Sequence, residues 1–237
     1  MSSGSKPSRT TSTTAPATAP TPPSTGGSST PPSGTLSDDF SSLAQGTGWS
    51  DGSAHGQWIS AFSGYGQSGI ESDGTHGNVL TLSPAASTSP SETHAALVRS
   101  TATFGDTDLT VDMRTVQQLR SGSAANPWET GWVLWHYGDN THFYYFIPKP
   151  NGWELGKEDP AYPGAQRFLA AGSSPSFTPG PWLTVRVRQV GNSITVWVNG
   201  SQIVSFTDNE RPYSSGSLGL YTEDAHVHFD NIAVTNP

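Results

Sequence analysis

The stretch WETGWVLWHYGDNTHFYYFIPKPNGWELGK, residues 128–157, decides the fold, because nine of its thirty residues are Trp, Tyr or Phe. The rings occur in short runs separated by the turn-forming sequences GDN (138–140) and PNG (150–152). Successive side chains of a β-strand point to opposite faces. Both faces of the predicted strands are therefore aromatic, so one set of rings packs in a core while the other meets solvent or a ligand.

Period-two alternation recurs along the rest of the chain. In PWLTVRVRQV (181–190), Leu183, Val185 and Val187 alternate with Thr and Arg, and DLTVDMRTV (108–116) has the same pattern. Asn199-Gly200 joins two β-rich runs, and this dipeptide is a strong hairpin signal because both turn positions tolerate positive φ. No segment has a helical period over about twelve residues. The sequence therefore predicts an all-β fold, an antiparallel two-sheet β-sandwich.

Composition divides the chain into two parts. Residues 1–34 contain no aromatic residue and no Leu, Ile or Val, and Pro, Ser, Thr and Gly dominate them. Such a segment cannot bury enough apolar surface to offset the entropy of the chain. We therefore predict a disordered Pro/Ser/Thr-rich linker over 1–34 and one folded domain over 35–237.

The charge balance and the absence of cysteine exclude several function classes. Asp and Glu number 19 against 11 Lys and Arg, which gives a formal net charge of −8 and no basic cluster. We therefore expect neither nucleic acid nor an anionic membrane as a partner. With no Cys, disulfides, thiolate metal sites and Cys nucleophiles are excluded. Phosphate-binding glycine loops and the Gly-x-Ser-x-Gly elbow are also absent from the sequence.

Four segments together resemble the concanavalin A-like, laminin-G-like jelly-roll superfamily. They are LSDDFSS (36–42), GWVLWHYGDNTHFYYFIPKPNGWELGK (131–157), PGPWLTVRVRQVGNSITVWVNGSQIVSFTD (179–208) and GSLGLYTEDAHVHFDNIAV (216–234). The resemblance implies a jelly roll, and the superfamily includes glycan-binding modules, glycoside hydrolases, polysaccharide lyases and adhesion domains, among which the fold does not choose. The Glu-x-Asp-x-Glu strand of family 16 glycoside hydrolases and the Gln-x-His strand of alginate lyases are absent, so neither catalytic arrangement is carried over.

The aromatic strands supply the candidate ligand-binding residues. With the register of the superfamily, Val133, Trp135 and Tyr137 face the concave side, while Trp132, Leu134 and His136 face the core. Sugars stack their flat C–H faces on rings and need polar partners for their hydroxyl groups. The predicted ligand-binding residues are Trp135, Tyr137, Tyr145, Trp153, Arg186, Arg188 and Gln166. The alternative is an ordinary sandwich core with aromatic filling of the surface.

Two glutamates are candidates for catalysis. Glu154 lies between Trp153 and Leu155, and Glu129 precedes the GWVLWHY strand. A carboxyl group that packs against Trp can have a raised pKa, as a general acid requires, and most glycosidases use two carboxyl groups. The alternative for Glu154 is a solvated or hydrogen-bonded strand residue.

The resemblance also implies a structural calcium site. In the superfamily, an early Asp beside the first strand and an Asp on the last strand often hold Ca²⁺, and Asp38 or Asp39 and Asp230 occupy the matching positions. Ca²⁺ prefers six to eight oxygen ligands, which carboxylates and backbone carbonyls provide. The alternative is that these aspartates cap turns and form local hydrogen bonds.

The histidines give two further options. His226-x-His228 lies on one face of the last strand, and such a pair binds Zn²⁺ when a third ligand is present. His142, Tyr144 and Tyr145 are the proton-transfer groups of a possible lyase that acts on uronic acids. We favour a polar strand face for the histidines.

From these observations we predict an extracellular polysaccharide-binding jelly-roll domain, stabilised by calcium, that engages its ligand through an aromatic concave face. The alternative is a secreted glycoside hydrolase or polysaccharide lyase that acts on a cell-wall or environmental glycan in the same groove. The expected partner is a polysaccharide or glycan, without nucleic acid and without membrane insertion. We expect a monomer that is secreted or tethered to the cell surface.

Overall fold

The computed structural model describes residues 34–237, which form two antiparallel sheets with one 3₁₀ turn at Pro163–Ala165. The strands are β1 Leu36–Asp38, β2 Ala54–His55, β3 Trp58–Phe62, β4 Gln67–Asp73, β5 Gly77–Ser83, β6 Ala95–Phe104, β7 Thr107–Gln118, β8 Gly131–Asp139, β9 His142–Lys149, β10 Gly152–Glu158, β11 Gln166–Gly172, β12 Leu183–Val190, β13 Ser193–Val198, β14 Ser201–Thr207, β15 Gly216–Glu223 and β16 Ala225–Thr235. The predicted linker lies, except for its last residue, outside the described residues. Within residues 34–237 no helix is long and apolar enough to cross a membrane.

The strands divide between two eight-stranded sheets. Sheet A has the order β14-β13-β12-β7-β16-β5-β4, with β1 also paired to β16, and sheet B has the order β11-β10-β9-β8-β15-β6-β3-β2. The first strand therefore pairs with the last, and Leu36 lies opposite Val234. The predicted antiparallel two-sheet sandwich, the concanavalin A-like jelly roll, is confirmed.

The hairpin predicted at Asn199-Gly200 is present between β13 and β14. Both residues have positive φ, 50° for Asn199 and 78° for Gly200, as a two-residue turn between strands of normal twist requires. Strands β7, β12 and β13 of sheet A alternate between buried and more exposed residues. In β12, for example, Val185 and Val187 are fully buried while the residues between them are exposed.

The core between the two sheets takes aliphatic and aromatic side chains from both sheets, with most of the large rings coming from sheet B. Sheet A contributes residues such as Val111 and Phe229, and sheet B contributes Trp58, Tyr144 and Phe146. Strands β8, β9 and β10 differ from those of sheet A because almost all of their residues are buried, on both faces. A second hydrophobic cluster therefore covers the outer face of sheet B.

The predicted facing of β8 is wrong for its first half. Val133 and Trp135 lie in the core between the sheets, while Trp132 and Leu134 belong to the outer cluster. The reason is that both sets are apolar, so the alternation does not say which set is inside. Beyond Trp135 the pairing of β8 with its neighbours shifts, which is the mark of a β-bulge.

The bulge centres on His136, which has a φ of 48°. Its imidazole is buried and both ring nitrogens lie 2.9 Å from backbone carbonyl oxygens, those of Tyr213 and Gly105. The extra residue returns Tyr137 to the outer face, where its ring packs 5.8 Å from that of Phe143. Tyr137 therefore lies on the predicted side of the sheet, but the bulge places it there and not strict alternation.

Candidate functional site

The outer face of sheet B carries a floor of rings and aliphatic side chains. These side chains share the face because they alternate with the core residues along β6, β8 and β9. They are Leu97, Trp132, Leu134, Phe143, Tyr145 and Ile147, with Ala61, Phe62, Tyr137 and Tyr221 packed at the margin. Tyr145 and Phe143 share this face, and Tyr144 and Phe146 lie in the core.

A polar cluster centred on Glu154 lies on this floor. Tyr145 Oη donates a hydrogen bond to Glu154 Oε1 over 2.9 Å, and Lys149 Nζ donates to Glu154 Oε2 over 2.8 Å. Gln166 Nε2 in turn donates to Tyr145 Oη over 2.8 Å. The structure therefore brings together three predicted site residues, Tyr145, Glu154 and Gln166, and adds Lys149.

Gly156 makes this cluster possible. It pairs with Tyr145 across β9 and β10, and a Cβ atom at position 156 would lie 2.2 Å from Tyr145 Oη. The tyrosine side chain therefore lies over the glycine, and its hydroxyl group reaches Glu154. A larger residue at this position would displace the phenol.

Two tyrosines of this face keep their protons more strongly than usual. Burial raises the pKa of Tyr145, and the neighbouring carboxylate of Glu154 adds to the effect. Burial likewise raises the pKa of Tyr221, whose hydroxyl group donates to Glu223 Oε1 over 2.7 Å. Both phenols therefore stay protonated at neutral pH and donate hydrogen bonds to the two carboxylates.

Two exposed rings stand at the edges of this face. Phe168 on β11 pairs with Gly156, next to Tyr145, and its side chain is 54% exposed. Trp128 is 41% exposed, and its carbonyl oxygen accepts a hydrogen bond from Trp132 Nε1 over 2.8 Å. The sequence analysis missed both rings as ligand-binding candidates. The alternation in QRFLAAG was the available signal for Phe168, because Phe168 and Leu169 are adjacent and must face opposite sides of the sheet.

Two predicted ligand-binding tryptophans lie in the core instead. Trp135 is 2% exposed and donates from Nε1 to Gln189 Oε1 over 2.7 Å. Trp153 is 8% exposed and donates to the carbonyl oxygen of Ser174. Both indoles are therefore held between the sheets, and their N–H groups are already satisfied by the protein.

The two predicted arginines lie on the other sheet. Arg186 and Arg188 alternate with the core residues of β12, so they project from the outer face of sheet A. Arg186 forms a two-pronged ion pair with Asp108, with distances of 2.7 and 2.6 Å, and its guanidinium group lies over the ring of Trp197. The structure does not bring the arginines together with Tyr145 and Gln166.

The second catalytic candidate, Glu129, is completely buried in an ion-pair network. Its Oε1 atom lies 2.5 Å from Arg120 Nε and also accepts a hydrogen bond from Asn126. Arg120 additionally pairs with the buried Asp224 over 2.9 Å. These contacts connect the segment before β8 to the β15–β16 hairpin. The surroundings of Glu129 are therefore those of a residue that stabilises the fold.

The three aspartates of the predicted calcium site do not share one environment. Asp38 accepts hydrogen bonds from the backbone N–H of Phe40 and from Trp58 Nε1, each over 2.8 Å. Asp39 accepts from Ser41 in the following turn. Asp38 and Asp39 line an open depression of about 510 Å³ next to Asn231.

Asp230 instead faces a histidine on the outer side of sheet A. Its Oδ2 atom lies 2.9 Å from His76 Nδ1, and burial raises its pKa. Among residues 34–237, the set of three His, Asp or Glu side chains whose ligand atoms converge is Glu71, His226 and His228.

Comparisons with known proteins agree with the fold. Residues 44–235 match the family of the 3-keto-alpha-glucoside-1,2-lyase-like domain, whereas no curated protein matches the sequence. A native glycosidic hydrolase has a TM-score of 0.57 at 11% identity and covers 88% of this chain and 99% of that chain. The carbohydrate binding module CBM66 from Bacillus subtilis has a TM-score of 0.55 at 13% identity, with 76% of this chain and 95% of that chain covered.

A Bacillus licheniformis beta-glucanase has a TM-score of 0.51 at 14% identity, with 86% and 99% of the two chains covered. At these identities the likeness to solved structures shows the shared fold alone. The family match covers most of the chain, from β2 through to β16. The chain therefore belongs to the 3-keto-alpha-glucoside-1,2-lyase-like domain family.

Proposed function

We propose that the outer face of sheet B binds a glycan, with Glu154 at the centre of the site. The observation that carries this proposal is the cluster of Glu154, Tyr145, Lys149 and Gln166 on a floor of rings. Ligand sites combine an apolar surface with a few placed polar groups. This face has both, and the exposed ring of Phe168 stands beside it.

The exposed rings and the polar cluster have different roles in recognising sugars. The exposed rings of Phe168 and Trp128 stack on the C–H faces of pyranose rings, while hydroxyl groups of the sugar exchange hydrogen bonds with Glu154, Lys149 and Gln166. The acidic net charge of the chain, −8, favours a neutral glycan over a polyanionic one. We propose that this site works outside the cell, in line with the polar, cysteine-free composition.

Incubation with a panel of polysaccharides, followed by pull-down and by analysis of products, tests the proposal. We expect retention on at least one glycan, and we expect Phe168→Ala and Glu154→Gln to weaken it. Arg186→Ala on the other sheet is the matched control and leaves retention unchanged. The proposal is wrong if no glycan is retained, or if the control weakens retention as much as the two site variants do.

A second candidate function is cleavage of a glycoside on the same face, and the name of the family supports it. In a 3-keto-glucoside the keto group acidifies the C2–H bond. The carboxylate of Glu154 accepts that proton, the electron pair forms a C1–C2 double bond, and the bond from C1 to the leaving oxygen breaks. Burial raises the pKa of Tyr145, so Tyr145 stays protonated and holds Glu154 through its hydrogen bond, and the leaving oxygen takes its proton from water.

The products distinguish the possible reactions. Elimination from a 3-keto-α-glucoside generates an unsaturated ketone that absorbs ultraviolet light, whereas hydrolysis generates a new reducing end without that absorbance. Retention of a polysaccharide with neither signal supports a binding domain. Each assay uses the parent chain and Glu154→Gln, which we expect to abolish either reaction.

We also propose that Ca²⁺ stabilises the domain at the depression lined by Asp38 and Asp39. Carboxylates and nearby backbone carbonyls are the ligands that Ca²⁺ prefers, although Asp230 points to His76 instead. A melting curve in EGTA, with and without added Ca²⁺, tests this. We expect Ca²⁺ to raise the melting temperature by several degrees in the parent chain and not in Asp39→Asn. Identical curves would contradict the site.

A further inference from the structure

Three potential metal ligands converge on the outer face of sheet A, on the opposite side of the sandwich from Glu154. Glu71 lies on β4, and His226 and His228 lie on β16. Glu71 Oε2 is 3.2 Å from His226 Nε2 and 3.0 Å from His228 Nε2. All the ligand atoms lie within 4.8 Å of one another. The two histidines share a face because they are two residues apart on one strand.

These distances fit a tetrahedral zinc ion. Zn²⁺ binds imidazole nitrogen and carboxylate oxygen at about 2.0–2.2 Å, so two of its ligand atoms lie about 3.3 Å apart. The distances from Glu71 to the two histidines are close to this value. Two imidazoles and one carboxylate form a donor set for Zn²⁺ that leaves a fourth position for water. Ca²⁺ and Mg²⁺ prefer oxygen ligands and fit these nitrogen donors poorly.

His228 provides an independent indication, because acceptors face both of its ring nitrogens. Its Nε2 atom faces the carboxylate of Glu71, while Nδ1 lies 3.5 Å from Asp73 Oδ2 and makes no hydrogen bond. A neutral imidazole carries one proton and can donate to only one of these carboxylates. Both carboxylates are served by a protonated imidazolium or by a metal ion on Nε2, and with the ion Nδ1 carries the proton and points towards Asp73.

Asp73 is well placed to orient His228 from behind. It pairs with Arg114 over 2.9 Å and accepts hydrogen bonds from the backbone and side chain of Thr75. Histidines that bind metals usually donate their other ring N–H to such a carboxylate. Arg114 Nε and Trp182 Nε1 are further buried polar atoms without a partner in this neighbourhood, and the Trp182 ring lies 6.3 Å from that of His228.

We propose that Glu71, His226 and His228 bind one Zn²⁺ ion, with Asp73 holding His228 in the required tautomer. The ion links β4 to β16 across β5, whose Thr81 hydroxyl group lies 3.0 Å from His226 Nε2. The side chains of Glu71 and His226 are 32% and 23% exposed, so an ion can enter from solvent. This site does not depend on the glycan site on sheet B.

Isothermal titration of ZnCl₂ into the chelator-treated, dialysed full chain at neutral pH tests the proposal. We expect one equivalent of Zn²⁺ to bind. We expect His228→Ala, His226→Ala and Glu71→Gln each to weaken binding by about tenfold or more, and Asp73→Asn to weaken it by about 10- to 100-fold. His142→Ala, which removes an exposed histidine from sheet B, is the matched control and retains the parent affinity.

Glu71→Gln keeps the test decisive if the histidine variants fail to fold, because Glu71 is the most exposed of the three ligands. Titration with Co²⁺ gives a second readout, since tetrahedral Co²⁺ absorbs visible light far more strongly than the octahedral hydrated ion. The proposal is overturned if Zn²⁺ does not bind, if Glu71→Gln binds like the parent, or if His142→Ala weakens binding equally.

Discussion

The outer faces of the two sheets differ in chemistry although both sheets cover the same core. On sheet A the outer positions are charged or polar, as in the Arg186–Asp108 pair and the cluster of Glu71, His226 and His228. On sheet B the corresponding positions of β8 and β9 are rings and aliphatic side chains, and Glu154 is the centre of a small polar cluster.

The difference is the reason why we place the proposed glycan site on sheet B and not on sheet A. A sheet that only needs to cover a core has one apolar face and one solvated face, as β12 has. Strands β8 to β10 are buried on both faces, and their outer side chains form a second hydrophobic cluster. The charged face of sheet A instead carries Glu71, His226 and His228, the ligands of the proposed Zn²⁺ site.

The largest expected effect is on the free energy of unfolding, and it distinguishes a core ring of sheet B from an exposed ring of the same sheet. Trp135→Ala removes a fully enclosed indole and its bond to Gln189, so we expect the free energy of unfolding to fall by about 4 kcal/mol. Phe168→Ala on the outer face should change stability little because its ring is 54% exposed. Urea unfolding measures the stability of both variants. Glycan retention is then compared for the folded fraction of each variant, and we expect it to fall for Phe168→Ala and not for Trp135→Ala.

The next effect concerns Glu129, the candidate catalytic residue that lies in a buried ion-pair network. Glu129→Gln leaves Arg120 with Asp224 as its remaining carboxylate partner. Loss of one partner from a buried ion pair costs about 3 kcal/mol, and urea unfolding should show a loss of this size. If Glu129→Gln leaves stability intact but abolishes cleavage of a glycoside, the structural role is wrong and the catalytic interpretation holds.

A smaller effect is expected from Glu154, and it falls on ligand affinity. Glu154→Gln keeps the size of the side chain but weakens its bonds with Lys149 and Tyr145. We expect retention of the glycan identified by the panel to weaken about tenfold, which corresponds to about 1.4 kcal/mol. Calorimetric titration of that glycan measures the change. Equal affinity of the parent and Glu154→Gln would place the ligand elsewhere on the molecule.

The fold could be predicted from sequence because alternation, turn residues and the Asn199-Gly200 hairpin all indicate the same architecture. Strands β7, β12 and β13 of sheet A follow that alternation, and the pairing of β1 with β16 agrees with the jelly-roll resemblance. The choice of face on β8 could not be predicted. Trp132 and Trp135 are equally apolar, and the bulge at His136 shifts the pairing of β8 with β15 by one residue.

The site was predicted in part for a related reason. Tyr145, Glu154 and Gln166 come together because β9, β10 and β11 are adjacent in sheet B. Arg186 was grouped with them by residue type, but β12 belongs to the other sheet. The third residue of the proposed Zn²⁺ site, Glu71, could not be identified from sequence. It lies on β4, and it is near His226 and His228 only because the strand order in sheet A is β16-β5-β4.

The smallest expected effect tests whether the outer face of sheet A contributes to glycan binding at all. Arg186 pairs with Asp108 in a well-formed but exposed geometry, and its guanidinium group stacks on Trp197. Exposed ion pairs contribute about 0.2–1 kcal/mol, so Arg186→Ala should lower the free energy of unfolding by about 0.5 kcal/mol. Urea unfolding and glycan titration are done on the same preparation. We expect the glycan affinity of Arg186→Ala to be unchanged, because the two outer faces lie on opposite sides of the core. A clear loss of affinity would assign Arg186 to the binding surface and overturn the distinction between the faces.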